Sequence, residues 1–147
     1  MAGFGRTIVI ERPVEEVFDF ATDVANAYLF LPGVTKVEML TGSEMKSGAR
    51  FRETRRVGRK EHTAVIEIVE HKRPELHVAS SAMLGMRATY RFCFSKAGAG
   101  TPVDMEALVQ GNLLWKPFLG IKSRDMEKED GEYLTRLKQA MGQTQPL

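Results

Sequence analysis

The residues best suited to chemistry cluster around one β-hairpin, in the stretch GARFRETRRVGRKEHTAVIEI. A two-residue loop at Gly58-Arg59 sets Val57 opposite Lys60. Counting back along both strands then pairs Arg55 with His62, Glu53 with Ala64 and Phe51 with Ile66 on one face. The other face carries Arg56 with Glu61, Thr54 with Thr63, Arg52 with Val65 and Arg50 with Glu67. Two of these four pairs are opposite charges directly across the ladder, the favourable arrangement for a solvated surface. The first face is therefore the inner one, and it brings a carboxylate, a guanidinium and an imidazole to an apolar surface. Such a set could orient the polar head of a bound molecule. Alternatively, Arg55 could polarise a carbonyl while His62 moves a proton. Buried charges must be paired, so Glu53 with Arg55 is the expected internal couple. The plainer alternative is that all three sit near the strand end and reach solvent. A one-residue slip in register would reverse every assignment.

A second hairpin supplies a hydroxyl. With Phe94 opposite Val103, Arg91 meets Glu106 and Cys93 meets Asp104 outside, while Phe92 meets Met105, Tyr90 meets Ala107 and Ala88 meets Val109 inside. Tyr90 thus joins Arg55 and His62 as a candidate catalytic group. Ala64, Ala88 and Ala107 leave room on the inner face, and Met39, Met83, Met86, Met105 and Met126 suit an adaptable pocket, although Ala and Met also complete solid cores. Tyr28 and Phe30 from a short helix, with Phe118 and Met126 from a long one, complete the expected lining. No nucleophilic triad or paired-carboxylate signature is present. His62, His71 and His77 lack a ligand spacing such as His-x-x-x-His, so neither metal nor cofactor is expected.

The elements that must hold these groups are legible from periodicity. Phe4 to Arg12 alternates as a strand and is stopped by Pro13, which also opens a short helix to about Thr22 with Glu15 and Glu16 at its positive end. Asp23 caps a second short helix ending at Pro32-Gly33. Five alternating runs follow, separated by Gly- and Pro-containing turns, so sequential antiparallel hairpins are expected. From Lys116-Pro117 to about Met141, the spacing of Leu119, Met126, Tyr133, Leu134, Leu137 and Met141 predicts one long helix, with Gly131 at close packing or a slight bend. The charged run SRDMEKEDGE, Ser123 to Glu132, reads as that helix's solvated face. Leu113, Leu114, Trp115, Phe118 and Leu119 either staple the helix start onto the sheet, or gate a portal or touch a membrane surface. The tail from Gly142 to Leu147 is expected to fray.

A chain of 147 residues supports one core and hence one domain, residues 1–147. Twenty-one Lys and Arg against nineteen Asp and Glu leave a net charge of +2. The cluster Arg50, Arg52, Arg55, Arg56, Arg59 and Lys60 could suggest a phosphate-binding stripe. The predicted cross-strand ion pairs and the lack of stacking aromatics on the outer face argue against nucleic acid. An interaction module using the basic edge at Arg59 and Lys60, with no ligand, is a third possibility. One cysteine, Cys93, cannot form an internal disulfide and implies a reducing compartment. No segment resembles a signal peptide or a membrane span, so a cytoplasmic protein without integral membrane association is expected, as a monomer or weak homodimer.

The order of strand, two short helices, antiparallel strands and long C-terminal helix resembles the SRPBCC superfamily of START-like, helix-grip proteins, in its polyketide cyclase/dehydrase and lipid-transport branch. The likeness is carried by IVIERPVEEVFDFATD, FLPGVTKVEML, GARFRETRRVGR, GTPVDMEALVQG and YLTRLKQAM, over nearly the whole chain. Phe30 stands where such proteins commonly have Trp. The resemblance implies an α+β helix-grip fold, a curved antiparallel sheet of about six or seven strands around a C-terminal helix. The resemblance further implies a cavity between them for an apolar small molecule such as a lipid, isoprenoid or polyketide. It implies either a binding or carrier protein or an aromatase/cyclase or dehydratase acting in that cavity.

Overall fold

A computed structural model describes residues 2–142. Most of the predicted tail, residues 143–147, therefore lies outside the described residues. Seven strands form one antiparallel sheet: β1 (Ala2–Ile10), β2 (Val34–Met39), β3 (Arg50–Val57), β4 (Lys60–Lys72), β5 (Leu76–Met83), β6 (Met86–Phe94) and β7 (Thr101–Gly111). Their order is β1-β7-β6-β5-β4-β3-β2, so every neighbour is a sequential hairpin partner except β1, which closes onto β7. Six strands rather than five follow the short helices, because Val34–Met39 also pairs, against β3 across a bulge. The two hairpins that fix the inner face have the register read from the sequence: Arg55 faces His62, Phe51 faces Ile66, Phe92 faces Met105 and Tyr90 faces Ala107. On the outer face Arg52 also reaches across to Glu38 of β2, at 2.8 Å.

Between β1 and β2 lie α1 (Val14–Thr22), a 3-10 turn (Val24–Asn26) and α2 (Ala27–Phe30). Pro13 stands at the N-cap of α1, and the Asp23 carboxylate accepts from the Ala25 backbone N–H at 3.0 Å, satisfying a donor that the next turn leaves open. The C-terminal helix is interrupted. After a 3-10 turn (Lys116–Phe118), α3 (Leu119–Asp130) ends at Gly131, and α4 (Tyr133–Ala140) starts two residues later. A Cβ on Gly131 would collide with the Glu127 carbonyl oxygen and stand 3.3 Å from Arg6 Nη2. Arg6, from β1, is itself ion-paired to Glu127 at 2.5 Å. The break is thus a place where the helix presses on the first strand.

Three apolar clusters result. Ile10, Val17, Phe18, Phe94, Val103, Met105 and Leu137 form the main core under α1 and α4; Ala107, Val109, Leu119 and Met126 seal α3 to β7; Ala49, Phe51 and Ile68 close the far end of the sheet. The helices cover the β1-β7-β6 half of the concave face, and the β3-β4-β5 half stays less filled.

Candidate functional site

That uncovered half is a cavity of about 150 Å³, lined by inner-face residues of β3 to β6, by α1, α2 and the turn between them, and by Asp130 and Tyr133 from the C-terminal helices. Its wall is mostly apolar, with Phe30, Leu31, Val37, Met45, Phe51, Ile66, Ala79, Ala88 and Phe92 on it. It is smaller than the roughly 300–1,000 Å³ that drug-sized ligands occupy.

One polar cluster interrupts the apolar wall. Arg55 donates from Nε to Glu53 at 2.6 Å and from Nη1 to Asp130 at 3.1 Å, and the other Asp130 oxygen accepts from the Tyr90 hydroxyl at 2.5 Å. Glu53 and Asp130 are 7% exposed each. Alternation in β3 puts Glu53 and Arg55 side by side on the inner face, and β6 presents Tyr90 from across the cavity. Burial opposes the charge on Arg55, but the two carboxylates outweigh it and hold its pKa above the ordinary guanidinium value. Burial, reinforced by Asp130, likewise pushes the Tyr90 hydroxyl up, so it stays protonated and serves as a donor. Tyr133 packs its ring at a tilt against Phe92 and edge-on against Phe30, at centroid distances of 5.0 and 5.3 Å. Its hydroxyl is also pushed up, by burial and then by Asp130 and Glu53, and it has no hydrogen-bond partner among the described residues.

A second polar feature lies on β4 and β5, where His71 and His77 are directly paired and their Nδ1 atoms are 3.0 Å apart. One ring must donate and the other accept. His77 lines the cavity and is buried; burial and then the neighbouring His71 lower its pKa to about 4. His71 is lowered by burial, partly offset by Asp19. Among the described residues no group of three His, Cys, Asp or Glu side chains is arranged to hold a metal ion.

Of the residues expected from the sequence, Phe30, Phe51, Glu53, Arg55, Ile66, Tyr90 and Phe92 line the cavity. His62 and Ala64 share their phase of alternation but lie nearer the hairpin tip, and both are exposed. Met105, Ala107 and Met126 are buried away from the cavity, in the part of the inner face that α3 and α4 cover. Tyr28 and Phe118 face outward, 53% and 51% exposed. Sequence reasoning missed Asp130, Tyr133 and His77. Asp130 sits in the charged run read as solvent-facing, yet it is the second counter-ion of Arg55, beside Glu53. The one available signal was Tyr133, whose place in the apolar period of the helix puts Asp130, three residues earlier, on a neighbouring part of the same face.

Residues 1–142 match the family described as Polyketide cyclase / dehydrase and lipid transport. A comparison with curated protein sequences finds no match. Among solved structures, the protein TTHA0849 from Thermus thermophilus superposes with a TM-score of 0.74 at 16% identity, covering 98% of this chain and 100% of that one. The di-domain ARO/CYC BexL from the BE-7585A biosynthetic pathway gives 0.65 at 20% identity, with 99% of this chain covering 51% of that protein. Ginseng major latex-like protein 151 from Panax ginseng gives 0.72 at 8% identity, over 95% of this chain and 94% of that one. These likenesses carry the helix-grip fold, an antiparallel sheet around a C-terminal helix. With the sequence match over residues 1–142, they make the chain a member of the polyketide cyclase/dehydrase and lipid transport family of START-like proteins.

Proposed function

We propose that this chain is a single ligand-binding domain that takes a hydrophobic small molecule into the cavity between sheet and C-terminal helix, with one neutral polar group of the ligand held at the Arg55 cluster. The observation that carries this reading is the buried Glu53–Arg55–Asp130–Tyr90 network on a mostly apolar wall. One guanidinium faces two carboxylates, which leaves the cluster with a net negative charge, so a further anion would be repelled. A carbonyl or hydroxyl suits the site better, because Arg55 Nη2 and the Tyr133 hydroxyl are donors without protein partners among the described residues. A cavity of about 150 Å³ is of the size that holds a single aromatic ring. A longer lipid, isoprenoid or polyketide would enter by one ring or chain end and displace flexible lining such as Met45.

The test is native mass spectrometry of protein purified without detergent, with identification of any molecule released on denaturation. A stoichiometric apolar adduct is the expected result, and occupancy should fall several-fold in Tyr133→Phe while the fold's stability is kept. Protein that is clean of adducts and shows no thermal shift with a panel of phenols, isoprenoids and fatty alcohols sinks the reading.

A second reading, a cyclase or dehydratase, draws support from His77, a neutral imidazole on the cavity wall and hence a candidate base, with Arg55 to polarise a carbonyl. It predicts turnover of a poly-β-ketone analogue that is lost in His77→Gln while ligand binding persists. Turnover unchanged in both His77→Gln and Arg55→Ala would remove it.

A further inference from the structure

The β5–β6 turn and the β7–α3 connection meet at one end of the molecule. The Asn112 backbone N–H donates to the Gly85 carbonyl at 3.2 Å, and a Cβ on Gly85 would stand 2.9 Å from Trp115 Nε1. The two loops, with the end of β5 and the start of the C-terminal helix, expose Met83, Leu84, Leu113, Leu114, Phe118 and Ile121, with Leu113 at 84%, Leu84 at 80% and Leu114 at 75% exposure. A cluster of large apolar side chains this exposed marks an interaction site rather than ordinary surface.

Two further facts say what the partner is. First, Leu84 is the described non-glycine residue with positive φ, at 47°, followed by Gly85 at 88°. Positive φ at both loop positions is what a type I′ hairpin demands, and Asn or Asp before Gly meets it with least strain. A branched, exposed leucine there is unfavourable for the backbone and for solvation alike, so its benefit lies outside the isolated fold. Second, the charge on the two segments that carry the tips has one sign. No Asp or Glu occurs from Leu76 to Tyr90 or from Ala107 to Arg124, whereas Arg87, Lys116, Lys122 and Arg124 do. Apolar tips on segments that carry cations and no carboxylates match an anionic bilayer, whose interface takes the leucines while its headgroups meet the lysines.

We propose that this end of the molecule docks reversibly on an anionic membrane surface. The contact is peripheral, since among the described residues no helix is long and apolar enough to cross a membrane. It does not depend on the ligand reading. The same two strands do lead from Met83 and Met86 at the turn to Ser81 and Ala88 on the cavity wall, so docking would bring the cavity close to the lipid.

The experiment is flotation of the whole protein with vesicles of phosphatidylcholine alone and of phosphatidylcholine with phosphatidylglycerol, followed also by fluorescence of Trp115, the single tryptophan. Binding to the anionic vesicles, weakened by salt and accompanied by a blue shift, is expected. Replacing Leu113 and Leu114 by Asp should lower partitioning at least about tenfold. Leu84→Asn is the decisive variant: it should raise or preserve the melting temperature by relieving the turn, yet reduce partitioning severalfold. No binding to anionic vesicles overturns the proposal, as does equal binding by wild type and the Leu113/Leu114 variant. A wild-type dimer in solution that the same substitutions dissociate would assign the face to a second copy instead.

Discussion

Arg55 stands between two buried carboxylates, and its removal would leave both without a cation in a site that water barely reaches. Arg55→Ala is therefore expected to cost about 3–5 kcal/mol of folding stability, the range for breaking a buried pair from one side, as measured by urea denaturation at neutral pH. A loss below about 1 kcal/mol, typical of surface pairs, would mean that the cluster is solvated. His77 gives a residue-scale prediction in pH. Its pKa is lowered to about 4 in the fold against 6.5 ordinarily, so at neutral pH both folded and unfolded chains carry it neutral and its contribution is intact. As pH falls from 6.5 toward 4 the unfolded chain takes up a proton that the fold refuses, and stability declines by on the order of 3 kcal/mol. The charged or titratable groups around the pair are His71 and, through it, Asp19, which is held by Arg73 at 2.7 and 2.8 Å. His77→Gln should flatten the acid limb of a stability-against-pH curve; an unchanged limb would place the proton uptake elsewhere.

At the scale of elements, the strand registers follow from local facts: turn residues that fix the loop and alternation that fixes the face. That is why Arg55 and Glu53 could be paired before the fold was seen, and why Tyr90 could be set on the same side. Alternation gives parity and not depth, however. His62 has the right parity but lies toward the open end of β4, past the reach of the covering helices, whereas Met105 and Ala107 have it and lie fully beneath them. Asp130 was illegible for a related reason. A carboxylate within a run of charges looks solvated until a cation arriving from a distant strand is known. The break at Gly131 has a consequence of opposite sign to simple helix propensity. Gly→Ala in a helix interior ordinarily stabilises by about 1 kcal/mol. Here the added methyl would meet the Glu127 carbonyl and Arg6, so Gly131→Ala should destabilise by about 1–3 kcal/mol in thermal or chemical melts. A stabilised variant would show that the interruption is dispensable.

For the molecule as a whole, the sheet is open and the helices α3 and α4 complete both its core and its cavity, supplying Leu119, Met126, Leu134 and Leu137 to the one and Asp130 and Tyr133 to the other. A chain stopped after Trp115 should accordingly show no cooperative melt and should bind a hydrophobic dye such as ANS, the mark of a compact but unpacked state. A sharp melt would mean that the sheet folds by itself. The order of strands also sets a schedule. β1 finds its sheet partner in β7, with Ala2 opposite Val109, and Arg55 meets Asp130 only after 75 further residues. During synthesis from the N-terminus, the first strand waits with an unpaired edge, and the guanidinium waits without its second counter-ion, while the middle hairpins zip up around them. The late-made helices press the first strand into the body and fix the charge at the cavity, so the cavity is completed only when nearly the whole fold has left the ribosome.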